Sequence, residues 1–249
     1  MVQKVAYTSK AKVRKMEEDP LGFGFLTILA GIYVGIGVIL AFTIGALLEQ
    51  GNIIYGKIHM GFSFTVALSL VIMAGSELFT GNIFTIFMGA YFKFISLKKG
   101  IKILVFSWIG NFIGSLFIGF LFFKTGLIGE KLGAFFVNSG TLKVSALPSE
   151  LLIRGFLCNL LVCLGVWTSF KMKTEVGKLI LIFWCIFAFF TSGFEHSVAN
   201  MTIFPLCSWI SPSFSISSSF VNLCWVSLGN VLGGCFLGYF YGKIGKAKI

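Results

Sequence analysis

Six long apolar runs leave this chain little choice of environment. They cover roughly 22–48, 61–94, 101–123, 150–170, 178–206 and 218–242. A helix needs about 20 predominantly apolar residues to cross hydrocarbon, and each run reaches that length. With 57% of residues hydrophobic and 12% charged, the chain has the balance of a polytopic membrane protein, not of a soluble domain. The first run follows Glu17-Glu18-Asp19-Pro20 and has no small-residue cleavage pattern, so it reads as a span and not as a removable signal peptide. Runs two and five are too long for one straight helix. Gly31-xxx-Gly35, Gly110-xxx-Gly114 and Gly229-xxx-Gly233 suit helices pressed closely together.

The net charge of +11 raises the question of nucleic acid, and its distribution answers it. Lys4, Lys10, Lys12, Arg14 and Lys15 precede run one, while Lys93, Lys98, Lys99 and Lys102 flank the turn between runs two and three. Lys171, Lys173 and Lys178 flank the turn between four and five, and Lys243, Lys246 and Lys248 end the sequence. A six-span topology puts these 15 of the 20 basic residues on one side. The positive-inside rule makes that side cytoplasmic, with both termini inside. Orientation accounts for the charge, so no nucleic-acid partner is expected; the N-terminal lysines are expected to meet lipid headgroups. A Lys-over-Arg, Phe- and Ile-rich composition fits an AT-rich bacterial genome, hence a bacterial inner membrane. The six Cys form no Cys-x-x-Cys pair and read as small core residues, with no metal or cofactor expected.

Two polar islands interrupt the apolar pattern. Gly75-Ser76-Glu77-Leu78-Phe79-Thr80-Gly81-Asn82 lies in run two, and Ser192-Gly193-Phe194-Glu195-His196-Ser197-Val198-Ala199-Asn200 in run five. In each, a Glu precedes an Asn by five positions. Ionisable groups inside a span mark a polar path or a specific internal bond.

The islands are one part of a longer correspondence at an offset of roughly 118 to 128 residues. Val34-Gly35-Ile36-Gly37-Val38 matches Val162-Cys163-Leu164-Gly165-Val166, and Gly110-Asn111-Phe112-Ile113-Gly114 matches Gly229-Asn230-Val231-Leu232-Gly233. Three spans per half is an odd number, so the second half sits inverted relative to the first. Inverted repeats place equivalent elements around an axis near the bilayer midplane. The expected fold is therefore an all-α polytopic membrane protein of six spans in a 3+3 inverted repeat, with helices two and five interrupted. Its expected segments are 1–20, an N-terminal cytoplasmic stretch; 21–124 and 149–242, the two repeats; 125–148, an extracytoplasmic loop; and 243–249, a cytoplasmic tail.

A helix break at membrane depth frees backbone N–H and C=O groups that need partners. Half-helix N-termini attract anions, while the adjoining C-termini oppose them. Thr80 is placed either to cap the second half-helix or to offer its hydroxyl to a path. His196 is suited to donating a hydrogen bond to an anion or exchanging a proton with it, or else to bracing a neighbouring helix. His59, the other histidine, is expected in the loop before run two. Glu77 and Glu195 are expected to accept hydrogen bonds from the freed backbone N–H groups, with Asn82 and Asn200 completing the bracing. Phe64, Leu68, Leu78, Phe79, Val162 and Phe189 near the breaks are ordinary packing or, around a pore, apolar constrictions.

Glu77-Leu78-Phe79-Thr80-Gly81-Asn82, Leu157-Cys158-Asn159-Leu160-Leu161-Val162-Cys163-Leu164 and Gly193-Phe194-Glu195-His196-Ser197-Val198-Ala199-Asn200-Met201 together resemble the signatures of the formate/nitrite transporter family over nearly the whole chain. The resemblance implies an aquaporin-like fold assembled as a homo-pentamer with one pore per protomer. It implies His196 and Thr80 as central polar residues of the path and Asn159 and Asn230 as pore-lining amides. Phe64, Leu68, Leu78, Phe79, Val162 and Phe189 become constrictions. It also singles out Lys143, which sequence chemistry alone reads as a solvated loop charge, as attracting the anion or polarising His196. Gly81-Asn82 follows Thr80 where some formate channels have Ser-Thr, a departure that turns the expectation away from formate. The expected substrate is a small monovalent weak-acid anion, hydrosulfide ahead of formate and nitrite. A proton-coupled transporter of the same fold is the alternative. An aquaporin-type channel lacks its Asn-Pro-Ala motifs here, and a membrane enzyme lacks a nucleophile–base set.

Overall fold

The computed structural model describes residues 1–49 and 53–246; Lys248 and the end of the tail lie outside them. Every regular element among the described residues is helical. An amphipathic helix α1 (Val2–Glu18) leads into α2 (Pro20–Leu48). Asp19 separates them and caps α2 by accepting from Gly22 N, with Pro20 at the first position, where its missing N–H costs nothing. Run two becomes three pieces, α3 (Ile53–Phe64), α4 (Val66–Met73) and α5 (Phe79–Tyr91). His59 therefore lies on α3 and is exposed, because α3 starts well before the uniformly apolar residues do. Then come α6 (Leu97–Lys124), α7 (Glu130–Val144), α8 (Pro148–Lys171), α9 (Glu175–Thr191), α10 (Ser197–Ile210) and α11 (Ile216–Lys246). The segment expected as an extracytoplasmic loop thus carries a helix of 15 residues. Among the described residues, five stretches are long and apolar enough to cross a membrane: α2, Tyr55–Met73, α6, α8 and α11.

Two close helix crossings organise the body, α2 along α6 and α8 along α11. Glycines make them possible. A methyl group on Gly31 would strike the backbone oxygen of Asn111, and one on Gly114 that of Ile28. In the other pair, Gly229 faces the oxygen of Leu152 and Gly233 that of Phe156. Without side chains at these points the backbones approach to direct contact, which is how helices gain packing energy where lipid removes the hydrophobic drive. α1 packs across α5 through Val5, Ala6, Ser9, Val13 and Met16, with Ser9 seated against Gly89. α7 packs against α10 and α2, where Phe136 stacks on Phe42 at 4.7 Å between ring centres.

Candidate functional site

The backbone between α4 and α5 and that between α9 and α10 are built alike. Gly75 and Gly193 both have φ of +76°, a left-handed conformation that strains any residue with a Cβ. Ser76 N donates to Val71 O at 3.0 Å, and Phe194 N to Phe189 O at 3.1 Å. Each is the six-to-one bond of a Schellman stop, so α4 and α9 end by the same local chemistry. The next residues leave the helix path and pair with a neighbour: Glu77 N donates to Leu26 O (3.1 Å), and Glu195 N to Arg154 O (3.3 Å).

Two asparagines complete these segments. Asn111 Oδ1 accepts from Phe79 N at 2.8 Å, while its amide donates to Thr27 O at 2.7 Å and Glu77 O at 3.0 Å. Asn230 Oδ1 accepts from Ser197 N at 3.0 Å, while its amide donates to Gly155 O at 2.8 Å and Glu195 O at 3.0 Å. Both asparagines are fully buried. Each amide thus holds one N–H and one C=O that a helix would otherwise satisfy, and ties them to the next helix.

Thr80, in the first turn of α5, and His196, the N-cap of α10, meet. Thr80 Oγ1 lies 2.9 Å from His196 Nε2, in a buried contact between residues 116 apart in sequence. The other ring nitrogen, Nδ1, accepts from Ala199 N at 3.1 Å and caps α10. An acceptor Nδ1 leaves the proton of the neutral ring on Nε2, pointing at Thr80. Leu78, the N-cap of α5, has no such capping atom. Phe189 stacks on the imidazole at 5.9 Å and packs edge-on against Phe64. Asn159 donates to Thr80 O at 3.2 Å and Asn230 O at 2.7 Å, leaving its own Oδ1 buried without a partner.

Two cavities approach this pair. One, of about 430 Å³, is lined by Gly45, Lys143, Phe189, Glu195, His196 and Asn200 among others. The second, of about 510 Å³, is lined by Lys12, Leu26, Leu68, Glu77, Leu78, Gly81 and Asn82 among others. Leu26 and Gly45 sit near opposite ends of α2, 19 residues or about 28 Å apart at 1.5 Å per residue, so the cavities lie at opposite ends of that helix. Among the described residues none lines both. His196 lines the first cavity; Thr80 lines neither, but its chain neighbours Leu78 and Gly81 line the second, so the Thr80–His196 contact lies between the two.

Each cavity holds a lysine–glutamate pair. Lys143 Nζ lies 2.8 Å from Glu195 Oε1, with side-chain exposures of 22% and 4%; Lys12 pairs with Glu77, at 20% and 12%. The glutamates were expected to accept from the freed backbone N–H groups. Those groups instead go to Asn111, Asn230 and the carbonyls of Leu26 and Arg154, while the carboxylates take lysines. A carboxylate this far from water needs a cation more than another dipole. Glu195 also accepts from Asn200 Nδ2 at 2.7 Å, whereas Asn82 turns to Ser107 Oγ at 3.0 Å.

Of the residues singled out in sequence, Lys143, Glu195, His196, Asn200 and Phe189 line the first cavity, and Leu68, Glu77, Leu78 and Asn82 the second. Thr80, Phe64, Phe79, Val162, Asn159 and Asn230 are buried and line neither. Asn230, expected to line a pore, has its amide fully committed to backbone. Three contributors were missed. Asn111 was visible in sequence, in the Gly110–Gly114 segment that matches Gly229–Gly233. Lys12 stood among five basic residues with nothing to distinguish it. Asn222, fully buried beside Asn200, carries no local signature.

Apolar spans packed through glycine, two cavities at opposite ends of one helix and a buried polar pair between them define a multi-pass membrane protein of the channel or transporter class. Comparison with known proteins agrees. The formate/nitrite transporter family pattern matches residues 1–242, and the chain belongs to that family. The nitrite transporter NirC of Escherichia coli (strain K12) is 40% identical, over 96% of this chain and 90% of the relative. A probable formate transporter of Methanothermobacter thermautotrophicus is 34% identical, over 91% and 92%. Among solved structures, an FNT family ion channel superposes with a TM-score of 0.90 at 37% identity, covering 98% of both chains. A pentameric formate channel with formate bound gives 0.79 at 25% identity, covering 99% and 100%. The relatives are named as transporters or channels, and the chain is not an enzyme.

Proposed function

We propose that this chain is a channel subunit for small monovalent anions of weak acids, nitrite first among them, with the Thr80–His196 pair as the central contact. The observation that carries the reading is the buried 2.9 Å contact between Thr80 Oγ1 and His196 Nε2, which lies between two opposed cavities, His196 lining one and the neighbours of Thr80, Leu78 and Gly81, lining the other. Nitrite is put first because the NirC relatives carry that name; formate and hydrosulfide, the latter favoured on sequence, belong to the same chemical class. The repeated Schellman stops and asparagine bonds support an inverted repeat in which α3–α5 and α9–α10 are two interrupted spans. The basic residues around the Lys12 cavity support placing that side in the cytoplasm of a bacterial inner membrane, with headgroups at the N-terminal lysines. A homo-pentamer follows the assembly of the related formate channel.

The anion is drawn into the Lys143 cavity by an excess of cationic groups in its lining, Lys57, Lys143 and Arg154 against Glu49 and Glu195, with Glu195 holding the Lys143 ammonium in place. It reaches the His196 Nε2–H and the Thr80 hydroxyl and replaces the bond they make to each other. His196 acts here as a hydrogen-bond donor, not as a proton store. A second ring proton would sit on Nδ1, facing the Ala199 N–H that now donates to it. Phe64, Phe189 and Val162 beside the pair, with Leu68, Leu78 and Phe79 beyond it, form apolar slits. A bare anion there forfeits its hydration, so the neutral acid, protonated from cavity water, crosses more readily. Asn111 and Asn230 brace the interrupted spans, and Asn159 holds the Thr80 backbone.

Purified protein in liposomes should pass nitrite, formate and hydrosulfide faster than empty vesicles. No excess flux of any of the three would end this reading. A flux that reverses at a potential fixed by the proton gradient would identify obligatory proton coupling instead.

A further inference from the structure

We infer that Asn222 is a positioning residue that acts on the anion path through Lys143, in a closed ring of polar contacts that the other half of the molecule lacks. The inference rests on the proposed role of Lys143 above. Lys143 Nζ contacts Glu195 Oε1 at 2.8 Å, and Glu195 Oε2 accepts from Asn200 Nδ2 at 2.7 Å. Asn200 Nδ2 donates also to Asn222 Oδ1 at 2.9 Å. Asn222 Nδ2 then returns to the chain at Lys143 O, at 2.9 Å. The ring joins α7, the segment before α10, α10 itself and α11.

Each bond fixes the next. Both hydrogens of the Asn200 amide are assigned, one to the carboxylate and one to Asn222, so neither amide is free to flip. Lys143 lies in the last turn of α7, where a backbone carbonyl has no intrahelical partner. Asn222 supplies that partner and holds the end of α7 to α11. It therefore sets where the lysine backbone starts, while Glu195 sets where its ammonium ends. Asn222 is fully buried and lines neither cavity, so it does not touch the anion itself.

The first half shows that the fold does not require this ring. Taking the 119-residue offset of Asn111 and Asn230, the counterpart of Asn222 is Ile103, a fully buried apolar residue. The counterpart of Asn200, Asn82, bonds Ser107 and makes no bond to Glu77. Lys12 is held by its carboxylate without a comparable tether to its backbone. The ring is specific to the Lys143 cavity, which also contains His196.

The test is a double-mutant cycle on nitrite uptake into proteoliposomes, measured over a range of nitrite concentrations. Lys143→Gln, Asn222→Leu and the double variant are compared after size-exclusion chromatography confirms equal assembly. Asn222→Leu is expected to raise the half-saturating nitrite concentration about tenfold, the effect of losing one well-placed hydrogen bond. In the Lys143→Gln background it should add nothing, because a residue acting through Lys143 has no effect once the charge is gone. Equal effects in both backgrounds would show that Asn222 only supports the fold and would overturn the proposal. So would unchanged uptake in Asn222→Leu while Lys143→Gln is impaired. Unchanged uptake in Lys143→Gln would remove the reading of Lys143 itself, and the inference with it. If Asn222→Leu does not assemble, Asn222→Ser serves in the same cycle with the same outcomes.

Discussion

Replacing Asn230 by Leu isolates what holds the segment between α9 and α10. Leu has the heavy-atom count and branching of Asn, so no cavity forms and the hydrogen bonds are what is lost. Three bonds disappear, to Ser197 N, Gly155 O and Glu195 O. Gly155 lies within α8 and its carbonyl keeps the intrahelical bond. Ser197 N and Glu195 O have no alternative and become orphaned in a buried site. Each orphan costs about 1–3 kcal/mol, so the variant loses about 2–6 kcal/mol, a large part of a typical folding free energy. In a chain of this length that lowers Tm by roughly 10 °C. The repeated geometry adds a sharper demand. Asn111→Leu orphans Phe79 N and Glu77 O in the same way, while Thr27 O keeps its place in α2. The two variants should fall within about 1 kcal/mol of one another. The assay is thermal unfolding in detergent followed by tryptophan fluorescence, with size-exclusion chromatography reporting assembly. An unchanged Tm for Asn230→Leu would refute the bracing argument. A large loss for one variant and none for the other would refute the equivalence of the two segments.

Gly75→Ala and Gly193→Ala test the stops directly. A methyl group meets nothing within 4 Å at either position, so the strain comes from φ alone and should cost about 1–2 kcal/mol in each, read as a fall in Tm; stability unchanged in both would show that the left-handed turn is not required. His196→Gln keeps an N–H donor near Thr80, whereas His196→Leu does not. The Gln variant should retain measurable nitrite flux with the pH profile of the unaltered protein, and the Leu variant should lose at least about tenfold, one hydrogen bond to an anion being worth that much. A pH profile displaced in an assembled His196→Gln variant would assign proton exchange to the imidazole.

The two cavities hold their lysines differently. Both lysines pair with a glutamate of the adjoining segment, but only Lys143 is tethered at its backbone. Lys12 sits on α1, which packs across α5 by one face, and its pair is the more exposed at the carboxylate. Water therefore reaches the Glu77 carboxylate more readily than that of Glu195, at 12% against 4% exposure.

The sequence by itself determined the environment and the pattern. Apolar run length forced membrane helices, and Gly at fixed spacing marked where helices would touch. Matching islands at Glu77 and Glu195 exposed the repetition, because a charge inside an apolar run is rare enough to be noticed twice. What it left open were bonds between residues far apart in sequence. Thr80 and His196 are 116 positions apart, and no local rule brings a hydroxyl to an imidazole across that distance. Glu77 and Glu195 were assigned to backbone N–H groups because the neighbouring peptides were the partners in view. Tertiary packing instead delivered lysines from α1 and α7, and gave the N–H groups to Asn111 and Asn230. Periodicity reports which face of a helix is buried. Which polar atom stands opposite a buried carboxylate is decided only when the helices cross, since burial without a partner costs more than any local preference supplies.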